Sequence, residues 1–419
     1  QMKIAKDVFF YLVIEIISKS IPFALLPFLT RALEPAEYAL IISFTAISAF
    51  FNIIVGLNCQ SGIATLYFKD KGNYWLYIKV AWSIWLLSAF LIIFISVFVY
   101  FLGNFDGFVL ISALLFSLAW FPVALYTTLL RLKGQLFSYG KFVIFEIIFN
   151  VSLTAILVQN IGAEGRVVSI VLSMAIFGLV ASLFLFKIYV KKKLENTPTN
   201  KLIHKTKRRR VLNICLPVLP HLMSGWIRSG LDRNIVGLFF GASILGLYGV
   251  GSQLAMVMGV ISSSVTLAIG PFVNSQLANG GQKQKLVLIT YVISLLLLLT
   301  GVVYIYFCKY FAHLIIGNNF IRSLEILPYF VISFCFQGIS NLFVVYIYYA
   351  ENTRLLLKLA FPVGIIFAFI QYVVALNFDF YVFKWLIVVQ SLLYMLLIMY
   401  ISSKSFKMPW FDFKGALFT

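Results

Sequence analysis

Seven polar side chains that could do chemistry lie inside long apolar runs of this sequence: Glu15, Lys19, Glu146, Asn150, Arg228, Asp232 and Arg233. If such a run crosses a bilayer, a charge near its centre costs at least ~2.5 kcal/mol and needs a partner or a water-filled cavity. The lysine and the arginines could hold an anion through charge-assisted hydrogen bonds. The carboxyl groups could couple to protons or sodium. These seven residues are therefore the candidate site residues.

The same spacing also permits a purely structural interpretation. Glu15 and Lys19 are four residues apart on one helix face and could neutralise each other, and so could Arg228 and Asp232. Arg233 could instead reach the outer interface through its long side chain. Glu146, in the fifth apolar run, could make a structural hydrogen bond instead of binding a coupling ion. Both interpretations stay open at this point.

Twelve long apolar runs must position these side chains. They lie near 8–29, 39–60, 77–101, 108–130, 141–159, 166–187, 212–237, 244–269, 285–307, 323–348, 355–376 and 381–402. A bilayer core about 30 Å thick needs ~20 apolar residues of helix to cross it. The chain is 62% hydrophobic and only 11% charged, more apolar than a soluble domain can bury. We predict an all-α integral membrane protein with twelve transmembrane helices.

The basic residues predict how these helices are oriented. Most of the 33 lysines and arginines fall at the two termini and in every second gap between spans. The opposite gaps hold only Arg31, Arg166, Lys309, Arg322 and Lys384. Basic loops stay in the cytoplasm, so both termini are predicted to be cytoplasmic.

The net charge of +19 raises the question of nucleic acid. The densest basic run, Lys205 to Arg210, directly precedes a predicted span. This position is typical of a juxtamembrane segment on anionic lipids. Anionic lipids are therefore expected partners, and nucleic acid is not.

The longest polar stretch, 191–210, divides the chain into two similar halves. We predict a six-helix bundle over 1–190, a basic cytoplasmic linker, and a second bundle over 211–419, related by a pseudo-two-fold axis along the membrane normal. This architecture is typical of secondary transporters. A shift of about 210 residues brings Lys19 next to Arg228, which predicts a central cationic cavity suited to a pyrophosphate. The two helices that carry these cations are expected to be interrupted by proline, at Pro22 and Pro27 in the first and at Pro217 and Pro220 in the second.

No catalytic or metal-binding constellation is found in the sequence. The four cysteines include no Cys-x-x-Cys pair, and the three histidines are scattered. A membrane glycan polymerase or ligase would need a long periplasmic loop, and the longest here, about 308–322, is short. The sequence therefore favours a transporter over an enzyme and predicts no cofactor.

Three motifs carry a resemblance to a known family. The stretches 27–38, 216–249 (with Leu231-Asp232-Arg233-Asn234) and 327–353 resemble the first, seventh and tenth helices of the polysaccharide-transport branch of the multidrug/oligosaccharidyl-lipid/polysaccharide (MOP) exporter superfamily. In size the chain is most similar to the Wzx-type O-antigen flippases of that branch. The resemblance covers the whole chain.

The resemblance implies a flippase. Such proteins move an undecaprenyl-pyrophosphate-linked oligosaccharide from the cytoplasmic to the periplasmic leaflet, here for O-antigen and lipopolysaccharide biosynthesis. Lys19 and Arg228, with Arg233, are then expected to bind the pyrophosphate, and Glu15, Glu146, Asn150 and Asp232 to line the cavity or couple transport to a proton or sodium gradient. A polymerase of the same pathway is an open candidate partner. A multidrug/cation antiporter of the same superfamily and a glycan polymerase or ligase remain as alternatives.

Overall fold

The computed structural model describes residues 2–69, 74–101, 103, 106–195, 201–279, 282–350, 353–406 and 408–410. Fourteen α-helices fill these residues: α1 (Met2–Ala32), α2 (Pro35–Ile54), α3 (Cys59–Lys69), α4 (Tyr74–Phe101), α5 (Gly107–Leu132), α6 (Leu136–Glu195), α7 (Lys201–Cys215), α8 (Leu219–Ser229), α9 (Leu231–Phe240), α10 (Ala242–Ala278), α11 (Lys283–Ile315), α12 (Leu327–Tyr349), α13 (Thr353–Asn377) and α14 (Phe380–Ser405). Short 3-10 helices occupy Val55–Asn58, Leu216–Val218 and Asn318–Glu325.

The twelve predicted spans all fall on these helices. Eight helical stretches of the described chain are long and apolar enough to cross a membrane. One of them, Leu136–Lys191, contains two predicted spans. The other three spans correspond to Ser20–Ala32, Pro362–Asn377 and the consecutive helices α8 and α9. The prediction of an all-α, multi-pass membrane protein is confirmed.

Helix α6 is a hairpin rather than one straight rod. Its backbone leaves the helical region at Ile161 (φ −132°, ψ 23°) and Gly162 (φ 58°, ψ −136°). Hydrogen bonds join Asn150 to Arg166 and Thr154 to Ser169 across this point. Such pairs require two antiparallel arms, 136–160 and 163–195. Gly162 makes the reversal possible because a residue without Cβ adopts positive φ readily.

The second span is interrupted between α2 and α3. Gly56, Leu57 and Asn58 are consecutive residues with φ of 66°, 49° and 53°. Left-handed backbone is uncommon at Leu, so the surrounding structure must hold it. The Gly56 amide donates to Ser88 Oγ at 2.8 Å, and Ser61 Oγ donates to Asn58 Oδ1 at 2.9 Å. Side chains thus replace the helical hydrogen bonds that this turn forgoes.

The predicted proline interruptions are right for one helix and wrong for the other. Pro217 lies in a 3-10 turn and Pro220 begins α8, so the seventh span is broken there. Pro22 and Pro27 lie inside α1, which continues through both. A membrane helix tolerates proline when neighbouring groups satisfy the freed carbonyls.

The described chain forms two compact units, residues 1–234 and 235–419. In the N-terminal unit α5 packs along α6 and α2, and α4 leaves the rings of Phe90, Phe94 and Phe101 exposed. Exposed apolar rings are what a helix that faces lipid is expected to present. The two units are sets of residues that mostly contact one another. They do not test the predicted bundle boundaries at 190 and 211, which stay a prediction.

The C-terminal unit is built around α12, which packs against α10, α11 and α14. Tyr248 of α10 meets Phe330 of α12 edge to face at 4.8 Å between ring centroids. Lys384, which the sequence placed on the aqueous side opposite the termini, is only 7% exposed. Its Nζ lies 4.1 Å from the ring centroid of Tyr381 and 5.1 Å from that of Tyr329. The two rings accommodate the cation through their negative faces.

Candidate substrate and ion site

A cavity of about 650 Å³, lined by both apolar and polar side chains, lies within the N-terminal unit. Helices α1, α3, α5 and α6 line it, and its polar lining comes from Ser18, Gln60, Ser61, Thr127, Thr128, Arg131 and Glu146. On α5 the lining residues run from Trp120 to Leu132 along one face. At 1.5 Å per residue this face is about 18 Å long. Both the volume and the length suit an organic ligand, since such pockets measure ~300–1,000 Å³.

Glu146 contributes a carboxyl group to the wall of this cavity. It lies on the first arm of α6, and the Ser173 hydroxyl on the second arm donates to its Oε1 at 3.2 Å. The antiparallel hairpin therefore holds the carboxyl group in place. An ionisable group is rare inside a membrane helix and requires such support.

Asn150, one turn from Glu146, does not line the cavity but holds a buried arginine. Arg166 Nη1 donates to Asn150 Oδ1 at 2.8 Å and to Thr154 Oγ1 at 2.6 Å. Arg166 is 8% exposed and interacts electrostatically with Glu146. The sequence placed Arg166 in an aqueous gap, which is wrong. The reversal at Gly162 is so tight that Arg166 folds back beside the arm it follows.

Arg131 supplies a cation at one end of the cavity, in the last turn of α5. Its Nη2 donates to Thr128 Oγ1 at 3.2 Å, and its guanidinium carbon lies 5.7 Å from the ring centroid of Tyr139. The side chain is exposed. A planar guanidinium at one end of the cavity is suited to phosphate oxygens, which it can bind in bidentate fashion.

Glu15 and Lys19 lie on α1, and their side chains fall outside the described part of the structure. The neighbouring Ser18 lines the cavity. The pairing of Glu15 with Lys19 stays a prediction.

Arg228 and Asp232 lie on two different helices. Arg228 is in the last turn of α8, where its Nε donates to Ser224 O at 3.3 Å, and Asp232 is in the first turn of α9. Asp232 is 5% exposed, and its Oδ1 accepts from the Arg233 amide at 2.9 Å. Gly230 separates the two helices, and the predicted pairing of Arg228 with Asp232 stays a prediction.

Trp226 fixes α8 against α2 within the N-terminal unit. Its Nε1 donates to Ala46 O at 2.8 Å, and its ring centroid lies 4.7 Å from that of Phe50. The anchored helix α8 carries Arg228, so this contact sets the position of the predicted seventh-helix cation.

Of the predicted site residues, the structure thus brings Glu146 to the cavity and Asn150 to a network beside it. Sequence reasoning missed Gln60, Trp120 and Arg131 as lining residues and Arg166 as a buried cation. A signal was present for Arg166, because it directly follows a very short predicted gap, 160–165, which requires a tight reversal between two antiparallel helices. Gln60, Trp120 and Arg131 carry no such signal. An arginine at the end of a span, such as Arg131, is also what the orientation of the span predicts.

Comparisons with known proteins bear on the family and the fold of this chain. A sequence model described as polysaccharide biosynthesis protein matches residues 4–275. Protein 1 of the Lsg locus of Haemophilus influenzae is 27% identical over 282 residues, which are 65% of this chain and 66% of that protein. The chain therefore covers just under two thirds of this relative's length.

Two solved structures share the fold. An inward-facing multidrug resistance MATE family transporter of the MOP superfamily has a TM-score of 0.69 at 13% identity, covering 92% of this chain and 94% of that one. The lipid II flippase MurJ, in an inward closed conformation, has a TM-score of 0.66 at 12% identity, covering 95% and 87%. Both are transporters rather than enzymes, which is the class that the sequence predicted. The chain belongs to the polysaccharide biosynthesis protein family and has the fold of the MOP superfamily transporters.

Proposed function

We propose that this protein is a flippase that moves an undecaprenyl-pyrophosphate-linked oligosaccharide, such as an O-antigen repeat unit, from the cytoplasmic to the periplasmic leaflet of the bacterial inner membrane. The observation that carries the proposal is the cavity of the N-terminal unit. It combines hydroxyl, amide, carboxyl and guanidinium groups inside a helix bundle whose outer face is apolar. Membership of the polysaccharide biosynthesis protein family supports a glycan-bearing cargo.

The proposed path begins at the cations. The pyrophosphate group of the lipid approaches from the leaflet where the basic residues are predicted to lie. Lys19, Arg228 and Arg233 are the cations proposed from the sequence, and the geometry adds Arg131 at the cavity end of α5. The sugars enter the cavity, where its hydroxyl, amide and charged groups can replace part of their hydration. The polyprenyl tail stays in lipid, because moving its apolar surface from lipid to water is unfavourable.

Coupling to an ion gradient is the second part of the proposal. Glu146 is the carboxyl group that lines the cavity and can exchange a proton or bind sodium there. Its Oε1 is held by Ser173, which leaves the other carboxylate oxygen for an ion or a ligand. We propose alternating access driven by a proton or sodium gradient, with Asp232 and Glu15 as further candidates.

The test uses the full-length protein in lipid vesicles. A lipid-linked oligosaccharide carrying a fluorophore on its glycan is added, and an impermeant quencher then reports the protected fraction with and without an imposed proton or sodium gradient. We expect gradient-dependent protection, reduced about tenfold in Lys19→Ala, Arg228→Ala and Arg131→Ala because each loses a charge-assisted contact. Lys187→Ala is the control, since Lys187 is an exposed cation that does not line the cavity. Protection no greater than in empty vesicles would refute the proposal, and normal transport by Lys19→Ala and Arg228→Ala would refute the role of these cations.

A multidrug/cation antiporter is the second candidate, because the cavity holds a carboxyl group and the fold is shared with a multidrug transporter. A lipophilic cation such as ethidium distinguishes the two. Gradient-driven ethidium uptake into the same vesicles, abolished by Glu146→Gln and unaffected by Arg131→Ala, would favour the antiporter.

A further inference from the structure

The hydrogen-bonding character of the cavity wall narrows the ligand that it can hold. Gln60 lines the cavity, and its Oε1 is a buried acceptor without a hydrogen-bond partner among the described residues. An unsatisfied buried polar atom is unfavourable, so a ligand donor that reaches it gains affinity.

The neighbouring hydroxyl groups also present acceptors. Ser61 Oγ already donates to Asn58 Oδ1 at 2.9 Å, and Thr127 Oγ1 already donates to Val123 O at 2.8 Å. Their protons are therefore committed to the protein, and their lone pairs remain for a ligand. With the carboxyl group of Glu146, this part of the wall is rich in acceptors.

An aromatic ring completes the site. Trp120 lines the cavity on α5, one turn before Val123 and Ala124. Its indole offers a large flat apolar face, which packs against the apolar face of a ring-shaped ligand.

From this wall we infer that the cavity is a glycan subsite, in which the Trp120 ring packs against a sugar ring and the acceptors of Gln60, Ser61 and Thr127 receive sugar hydroxyl or amide N–H groups. The inference deepens the proposed function and rests on it. A sugar carries several donors around an apolar ring face, which is what an acceptor-rich wall beside an indole requires. A lipophilic cation without N–H or O–H groups would leave Gln60 Oε1 unsatisfied.

The experiment compares two probes on the purified full-length protein in detergent. One is a short-chain prenyl pyrophosphate, and the other is the same molecule carrying N-acetylglucosamine on the pyrophosphate. Affinities are measured by thermophoresis. We expect the sugar-bearing probe to bind about tenfold more tightly than the sugarless one, since one stacked ring and one satisfied acceptor supply roughly this factor.

Two variants and two matched controls locate the site. Trp120→Ala and Gln60→Leu should abolish the advantage of the sugar-bearing probe and leave the affinity for the sugarless probe unchanged. Trp82→Ala removes an indole that does not line the cavity, and Asn52→Leu removes a second buried unpartnered acceptor, Asn52 Oδ1, that does not line it either. Both controls should keep the full advantage.

The outcomes separate this inference from the proposed function. If the wild type transports the lipid-linked oligosaccharide but binds both probes equally, the glycan subsite is refuted and the flippase proposal stands. Equal weakening of both probes in Trp120→Ala and Gln60→Leu, or loss of the advantage in the controls, also refutes the subsite. If vesicles show no transport while the sugar advantage depends on Trp120 and Gln60, the subsite stands and the flippase proposal falls.

Discussion

Arg166 and Asn150 are 16 residues apart in the chain and are joined by a hydrogen bond of 2.8 Å between Nη1 and Oδ1. The contact exists because α6 reverses at Gly162 and returns alongside itself. It places a buried guanidinium between the two arms of the hairpin, where Thr154 is its second acceptor. The same two arms carry Glu146 and Ser173, so the hairpin that holds the cation also positions the carboxyl group of the cavity.

The first prediction concerns the stability that this cation provides. Arg166→Met keeps a long unbranched side chain but removes the donors to Asn150 and Thr154, and we expect a loss of about 1.5–3 kcal/mol in the free energy of unfolding, the usual worth of hydrogen bonds to a charged group. Unfolding in a detergent titration followed by circular dichroism measures it. Lys187→Met, at an exposed cation on the same hairpin, is the control. Equal stability of the two variants would contradict the role of Arg166.

The second prediction concerns the left-handed turn at Gly56. A Cβ at this position would lie 2.1 Å from Phe121 Cε2, and φ is 66°. Gly56→Ala should therefore lower stability by about 2–5 kcal/mol, from the unfavourable backbone conformation together with overpacking. The thermal midpoint of the detergent-solubilised protein reports this loss.

Two further variants divide that loss into its causes. Gly225→Ala, where a Cβ would meet nothing within 4 Å on helix α8, should leave stability unchanged or raise it slightly. Adding Phe121→Ala to Gly56→Ala should remove the steric part and leave the backbone part. If the double variant loses as much stability as the two single variants together, Phe121 is not the steric obstacle.

Most of the fold could be predicted from the sequence because a bilayer imposes length and apolarity on every span. The predicted runs near 244–269 and 285–307 lie inside α10 and α11, which extend beyond them. A hydropathy profile reports how apolar a segment is and does not indicate where its backbone turns within the membrane. It therefore joined residues 39–60 across the left-handed turn at Gly56.

The candidate site was less predictable, for a physical reason. Sequence spacing identifies charges that must be satisfied, which is how Glu146 was found. It does not identify which helices enclose a cavity, because that depends on tertiary packing between helices α1, α3, α5 and α6. Gln60 and Trp120 are unremarkable in the sequence and gain their significance only from the cavity they line.

The third prediction concerns ion coupling. Glu146→Gln keeps an oxygen that can accept from Ser173 but cannot release a proton or carry a negative charge. We expect transport in vesicles to continue down the substrate gradient and to lose its response to an imposed proton or sodium gradient. Asn150→Asp, which introduces a carboxyl group beside Arg166 rather than in the cavity, should not restore the response in the Gln variant. Retention of the full gradient response by Glu146→Gln would exclude this residue as the coupling group.

The last prediction concerns the end of the described chain, where Trp410 returns to the C-terminal unit. Its ring is 5% exposed and packs against Phe343 and Tyr346 at 4.9 and 5.0 Å between centroids. Its carbonyl accepts from Tyr291 Oη at 2.6 Å.

Trp410→Ala should lower the free energy of unfolding by about 3–5 kcal/mol, as expected when a large buried aromatic side chain is truncated. Trp410→Phe should lose much less, because Trp410 Nε1 is buried without a hydrogen-bond partner among the described residues and its removal relieves that cost. Trp385→Ala is the matched control, since its ring is 50% exposed and it should change stability by less than about 1 kcal/mol. Detergent unfolding of the four proteins, wild type included, gives the comparison. If Trp410→Ala is no less stable than Trp385→Ala, the segment around Trp410 does not stabilise the C-terminal unit. If Trp410→Ala is the less stable of the two, residues beyond α14 contribute to the core of that unit.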